Sequence, residues 1–160
     1  MAVDMFLVLD KIEGEARDKT HAKQIDVLAW NWGIANNGTT HIGGGGGSGK
    51  SSVQDISLTK YIDKASPLLL QCVTKGTHIA TGKLIVRKAG DKPLEYIVIE
   101  LKEIMITSVS FGGSGGEDRL TENVTLNFAE FTYTYTEQAP DGKSAKAPSF
   151  GFNIAQNTPI

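Results

Sequence analysis

The sequence predicts a mainly β fold, an antiparallel β-barrel of two packed sheets with one short α-helix. Three observations point there. Apolar and polar residues alternate with period two over several stretches rich in β-branched and aromatic side chains. The stretches are separated mostly by short connections, as antiparallel neighbours require. A single segment carries the start and stop signals of a helix.

The alternation is clearest near the C-terminal third. Val124, Leu126 and Phe128 interleave with Asn123, Thr125 and Asn127, and Phe131, Tyr133 and Tyr135 interleave with Thr132, Thr134 and Thr136. Around Tyr96–Ile99 both alternating sets are apolar or aromatic, which fits a strand covered on both faces. Further strands are expected over Met5–Leu9, Ile25–Trp32, Ile79–Lys88, Ile104–Phe111 and Ser149–Asn153. The stretch Val53–Ile62 has both helical and strand spacing; its Val, Ile, Thr and Tyr content favours strand. The helix is expected to have Ser66 as N-cap, Pro67 as its first residue, Lys75 in its last turn and Gly76 at its left-handed exit. Leu68, Leu69, Leu70, Cys72 and Val73 give it apolar surface.

Length and composition bound the function. The chain has 160 residues, 40% of them hydrophobic, enough for one core and too apolar for wholesale disorder. Residues 1–160 are therefore read as a single domain with an extended Gly-rich loop at about 38–51. Lys plus Arg is 16 against 18 Asp plus Glu, so the basic excess of a nucleic-acid binder is missing and no nucleic-acid partner is expected. No apolar run approaches the ~20 residues that cross a bilayer, so no stable membrane insertion is expected. The start MAVDMFLVLDKIEGE has acidic residues around a short apolar run and no cleavage-site pattern. Synthesis in the cytoplasm, and any export without a cleaved signal peptide, is the expectation. Cys72 stands alone, so no internal disulfide forms.

Glycine, 18 residues, clusters at Gly43–Gly47 with Gly49 and again at 112–116. Both clusters read as loops, since such tracts lose too much backbone entropy inside regular elements. From Gly44 the string GGGGSGKS satisfies the phosphate-loop pattern G-x-x-x-x-G-K-[ST], ending in Gly49, Lys50 and Ser51. In that motif backbone amides cradle phosphates, the lysine reaches the terminal ones and the hydroxyl binds Mg²⁺. It needs a buried strand before it and a helix after it, whereas Asn36–Ile42 is polar turn sequence and the following residues lean to strand. A glycine tract also satisfies most of the pattern by itself. A mobile surface or assembly loop is the stronger reading. His21, His41 and His78 are widely separated with no ligand-spaced Cys or carboxylate, so no metal site and no cofactor are expected. Glu100, Glu103, Glu117 and Asp118 show no spacing that marks paired catalytic carboxylates. Leu28, Trp30 and Trp32 fall on one face of their strand, read as core, and Val27, Ala29 and Asn31 on the other.

Longer blocks carry more information. AVDMFLVLDKIEGEARDKTHAKQIDVLAWNWG, HIGGGGGSGK, VQDISLTKYIDKASPLLL, LIVRKAG and GGSGGEDRLTENVTLNF, with the terminal FGFNIAQN, resemble the haemolysin-coregulated protein (Hcp) family of bacterial type VI secretion systems. The resemblance runs through essentially the whole chain. It departs at Thr132–Pro148 and at Phe152, where many members carry Trp. It implies a β-barrel that assembles into hexameric rings with a wide channel, the rings stacking into a tube. The implied partners are further copies of the chain, a contractile sheath, valine-glycine-repeat spike proteins, and small effectors held in the lumen. Export to the extracellular medium or a target cell is implied; catalysis is not. On this reading Asn31, Val27 and Ala29 face the lumen. Gly43, Gly44, Gly45, Gly46, Gly47, Ser48, Gly49 and Lys50 form a loop between subunits or rings. Two other readings come from the residues alone: a small phosphate-loop nucleotide-binding protein using residues 44–51, and a monomeric β-barrel ligand-binding module using Trp30 and Trp32.

Overall fold

A computed structural model describes residues 3–38, 50–90, 93–138 and 147–160. Its strands are β1 (Val3–Leu9), β2 (Ile25–Asn31), β3 (Ile34–Ala35), β4 (Ser52–Val53), β5 (Ile56–Tyr61), β6 (His78–Lys88), β7 (Leu94–Phe111), β8 (Thr121–Tyr135), β9 (Ser149–Asn153) and β10 (Thr158–Pro159). One helix, α1 (Ser66–Lys75), lies between β5 and β6. The order β8-β5-β2-β1-β6-β7 closes through a β7–β8 pairing into a six-stranded antiparallel barrel, with β9 and β10 added beside β8. Closure leaves the barrel wall without unpaired edges. The strand β8 reaches both neighbours by sharing its length. Thr121–Leu126 pairs with β5, and Glu130–Thr134 pairs with β9.

The expected strands all form. The pieces around Tyr96–Ile99 and Ile104–Phe111 merge into β7, and those at Val124–Phe128 and Phe131–Tyr135 merge into β8. Each strand switches the parity of its inward residues midway: Leu101 faces Phe131, and three residues on Ile104 faces Phe128. Glu103, with φ of 54°, sits at that switch. Strict alternation breaks there, so each strand reads as two. The barrel is filled by Leu7, Ile25, Ile56, Leu84, Ile99, Ile104, Val124 and Leu126, all completely buried. Helix α1 packs along β7 and contributes Leu69 and Cys72 to that core. Leu68 and Leu70 stay exposed. Gly76 closes the helix at φ 64° with its N–H on the Cys72 carbonyl.

One detail of the helix start differs from expectation. The cap position is Ala65 and Ser66 is already helical. The Ser66 hydroxyl serves a different group. It donates to Glu122 Oε1 at 2.7 Å and accepts the Asp63 N–H at 3.0 Å. Glu122 and Lys60 point into the barrel end and are completely buried. Lys60 Nζ donates to Glu122 Oε1 (2.5 Å), Asp63 Oδ1 (2.9 Å) and the Tyr61 carbonyl (2.8 Å). All three ammonium hydrogens are thereby used.

Residues 10–24 fold over the outside of β1 and β6. The segment turns back on itself so tightly that a Cβ on Gly14 would lie 2.5 Å from the Gln24 carbonyl oxygen. His21 stacks on Phe6 with ring centres 4.6 Å apart, and Arg87 lies over the Phe6 ring at 5.2 Å. Arg87 also grips Asp18 at 2.6 and 3.0 Å and Asp4 at 2.9 Å. The Arg87 guanidinium, helped by the His21 and Thr20 N–H groups, holds the Asp18 carboxyl well below the usual carboxylate range against the effect of burial. A depressed folded-state pKa gives stability that is present above the unfolded value near ~4 and is lost as pH falls through the folded one. Asp18→Asn is therefore expected to lower the urea midpoint at pH 7. The gap from wild type should narrow steadily below about pH 4. A gap that stays constant from pH 7 to 3 would show that the carboxylate charge does not hold this segment.

Candidate functional site

The outer surface of β2, β5, β8 and β7 carries two rows of side chains in cross-strand register. One row runs Asn31–Ser57–Thr125–Ser108, and the next runs Ala29–Thr59–Asn123–Ser110. All eight are exposed or half-buried, and none is charged. Directly opposed residues on one sheet face lie about 4.5–5.5 Å apart at Cβ, so each row is continuous. The rows are stitched by their own hydrogen bonds. Thr59 donates to Asn123 Oδ1 at 2.8 Å, and the Thr125 hydroxyl meets those of Thr107 at 2.6 Å and Ser108 at 2.7 Å. Thr107 is the extra residue of a register shift between Ile106 and Ser108, which is why two β7 hydroxyls reach one partner. At the end of the face Asp55 accepts from Thr107 (2.8 Å) and Asn127 (2.9 Å).

A second part of the outer surface, on β6, β7 and β8, has a different chemistry. Lys83 stands across from Glu100, and Lys102 across from Glu130 with a contact of 3.3 Å. With Asp10 they line an open groove of about 530 Å³. Lys102 and Glu130 pair across β7 and β8.

The expected outward set on β2 is only partly right. Ala29 and Asn31 share the uncharged face, but Val27 is a buried core residue beside Ile25. The cause is a register shift between Val27 and Ala29: Leu28 is an additional residue, 39% exposed, and it reverses the strand's parity. Inward positions are 25 and 27 before the shift and Trp30 after it, where Trp30 pairs with Leu58. Trp32 packs on Phe131 at 4.9 Å and donates its indole N–H to the Gln54 carbonyl at 2.8 Å. Both tryptophans pack against the core, and Trp30 also lines a pocket with Ala29, Asn31 and Ser57.

Gly43, Gly44, Gly45, Gly46, Gly47, Ser48 and Gly49 lie outside the described residues; Lys50 is described and exposed. What flanks the glycine tract is clear. Ile34 pairs with Val53 and Ala35 with Ser52, so β3 and β4 form a small antiparallel ribbon at its base. A phosphate loop needs a buried strand leading in and a helix leading out. Here a two-residue exposed strand leads in and β4 and β5 lead out. Among the described residues no cluster of His, Cys, Asp and Glu could hold a metal ion, and no helix is long and apolar enough to cross a membrane.

Residues 6–135 match the family model described as "Type VI secretion system effector, Hcp". The chain is 55% identical over 159 residues to "Protein hcp1" of Pseudomonas aeruginosa, covering 98% of each chain. Among solved structures it is similar to a type six secretion system protein, with a TM-score of 0.92 and 30% identity over 99% of this chain and 100% of that one. Hcp1 from Salmonella typhimurium superposes with a TM-score of 0.82 and 31% identity, each chain covered in full at 100%. A type VI secretion system effector from Yersinia pestis gives 0.77 and 36% identity, over 94% of this chain and 100% of that one.

Proposed function

The chain belongs to the Hcp family of type VI secretion systems, and from that premise we propose that it is a self-assembling structural subunit whose hexameric rings stack into an exported tube. The face bearing Asn31 and Ala29 lines the lumen and holds small effector proteins. A contractile sheath surrounds the tube and a valine-glycine-repeat spike caps it. The Gly43–Lys50 loop reaches from its β3–β4 base to a neighbouring subunit or ring. The chain acts without catalysis, cofactor or metal.

The observation that carries this reading is the contrast between two outer faces of one closed barrel. A wall lining a passage for many proteins benefits from weak, general contacts, which small uncharged polar side chains supply. Identical rings meeting face to tail form a heterologous, open-ended stack. The glycine loop is costly to order alone and can become ordered through contacts made on assembly.

Native mass spectrometry and negative-stain microscopy test the assembly. Wild type should give a mass six times that of the chain and annular particles. Replacing Gly43–Gly49 with a short Gly-Ser connector should leave the far-UV spectrum intact while shortening or abolishing tubes. A monomer at micromolar protomer concentration, with no rings in the images, would overturn the proposal.

A further inference from the structure

We infer that the lumen face recognises its cargo without ion pairs: the partner it fits is a folded polypeptide that presents uncharged hydrogen-bonding and small apolar groups. This rests on the proposal that Asn31 and Ala29 face the lumen. The two registered rows span four strands; every member except Ala29 is polar, and none carries a formal charge. Two carboxylates stand at their margins: Asp55, already engaged by Thr107 and Asn127, and Glu117, which lines a pocket with Ser110 and Asn123 at the other end.

The electrostatic consequence follows from burial. A lysine or carboxylate on the cargo, pressed against the middle of these rows, would lose hydration and find no opposite charge among their members. A cargo serine, threonine, asparagine or backbone amide would find both donors and acceptors, because hydroxyls and carboxamides offer both. Several of these hydroxyls already bond one another, so the face is pre-ordered and loses little side-chain entropy on contact. Charge-free contacts also escape salt screening, which acts on ion pairs over a Debye length of about 8 Å at physiological ionic strength. The charged ladder of Lys83, Glu100, Lys102 and Glu130 lies on another face, so salt-sensitive and salt-insensitive contacts are separated on one subunit.

The probe is a displayed library of one small three-helix scaffold with a randomised helix face, selected on purified wild-type rings. Clones that also bind Thr59→Lys rings are discarded. Retained clones should be rich in Ser, Thr, Asn, Gln and Tyr at the randomised positions and poor in Asp, Glu, Lys and Arg. Their affinity should change less than twofold between 50 and 500 mM NaCl. Thr59→Glu should weaken them at least tenfold, as Thr59→Lys does, since either sign is unpaired. Retained clones that are charged at these positions and weaken tenfold or more in high salt would overturn the inference while leaving the lumen reading standing. Failure to retain any clone would overturn both. Loss of the ring in Thr59→Lys, checked by native mass, would place the face between copies and also overturn both; Thr59→Ala, expected to keep the ring, separates this from misfolding.

Discussion

Glu122→Ala is expected to remove about 3–5 kcal/mol of folding free energy, because it strands a buried ammonium. Lys60 Nζ is completely buried and loses its 2.5 Å partner, leaving Asp63 and the Tyr61 carbonyl. Ser66 loses its acceptor at the same time, so the first turn of α1 loosens from the barrel end. Lys60→Ala should be similarly harmful, since it leaves two carboxylates, Asp63 and Glu122, facing each other without a cation. The triple variant Lys60→Met, Asp63→Asn, Glu122→Gln should recover at least half of the loss, because it replaces the buried cation and both of its carboxylate partners as a unit. Guanidinium unfolding at one fixed protomer concentration measures all three, since assembly contributes to apparent stability. The slope with denaturant should stay constant if only the native state changes. A Glu122→Ala variant within 1 kcal/mol of wild type would show that the barrel end admits water and that the pair is a surface pair in effect.

That network also marks where sequence reading stops. The sequence of β5, with Ile56, Leu58 and Lys60 at every second position, looks like an apolar face that ends in solvent at the lysine. Lys60 is inside because Glu122 on the neighbouring strand is in register with it. Pairing of distant strands is a tertiary fact that no local pattern contains. The same applies to Ser66, whose hydroxyl has a better partner across the barrel than the cap position that its type suggests. By contrast, the strands themselves and the end of α1 follow from local chemistry. Period-two alternation, Pro67 and Gly76 act within a few residues and need no partner to be read.

The uncharged face was half legible for a related reason. Ala29 and Asn31 lie where alternation places them, but one extra residue at Leu28 moved Val27 into the core. A bulge of one residue reverses every assignment on one side of it and leaves no composition signal. Asn123 and Thr125 are polar members of a clearly alternating strand, whereas Ser57 and Thr59 fall in the stretch Val53–Ile62, which has both helical and strand spacing. That they form one surface with Asn31 depends on β2 pairing with β5 and β5 with β8. A cue was nevertheless present. The outward positions of β5 and β8 near that end are Ser, Thr and Asn, whereas those farther along β6 and β7 include Lys83, Glu100 and Lys102.

The C-terminal strand offers the other large effect. Phe131→Ala is expected to cost about 3–5 kcal/mol, the range for removing a buried aromatic ring. Phe131 is 2% exposed and meets Trp32 edge-on at 4.9 Å, with Phe128, Phe150 and Phe152 each 6.3 Å away. It also faces Phe152 across the β8–β9 pairing. It thus joins the barrel interior to a strand that lies outside the closed ring. Phe150 belongs to the same aromatic group but is 54% exposed, so Phe150→Ala should cost less than about 1 kcal/mol in the isolated chain. Local opening should separate the two further. Amide exchange at Phe150–Asn153 should accelerate in Phe131→Ala more than exchange along β1, because β9 is held by five residue pairs to β8 and by the short β10. Hydrogen-exchange mass spectrometry on the dissociated chain would read both segments in one experiment. Equal destabilisation by Phe131→Ala and Phe150→Ala would mean that the aromatic group is anchored from its solvent side. The account of β9 as a strand hung on the barrel through Phe131 would then fail.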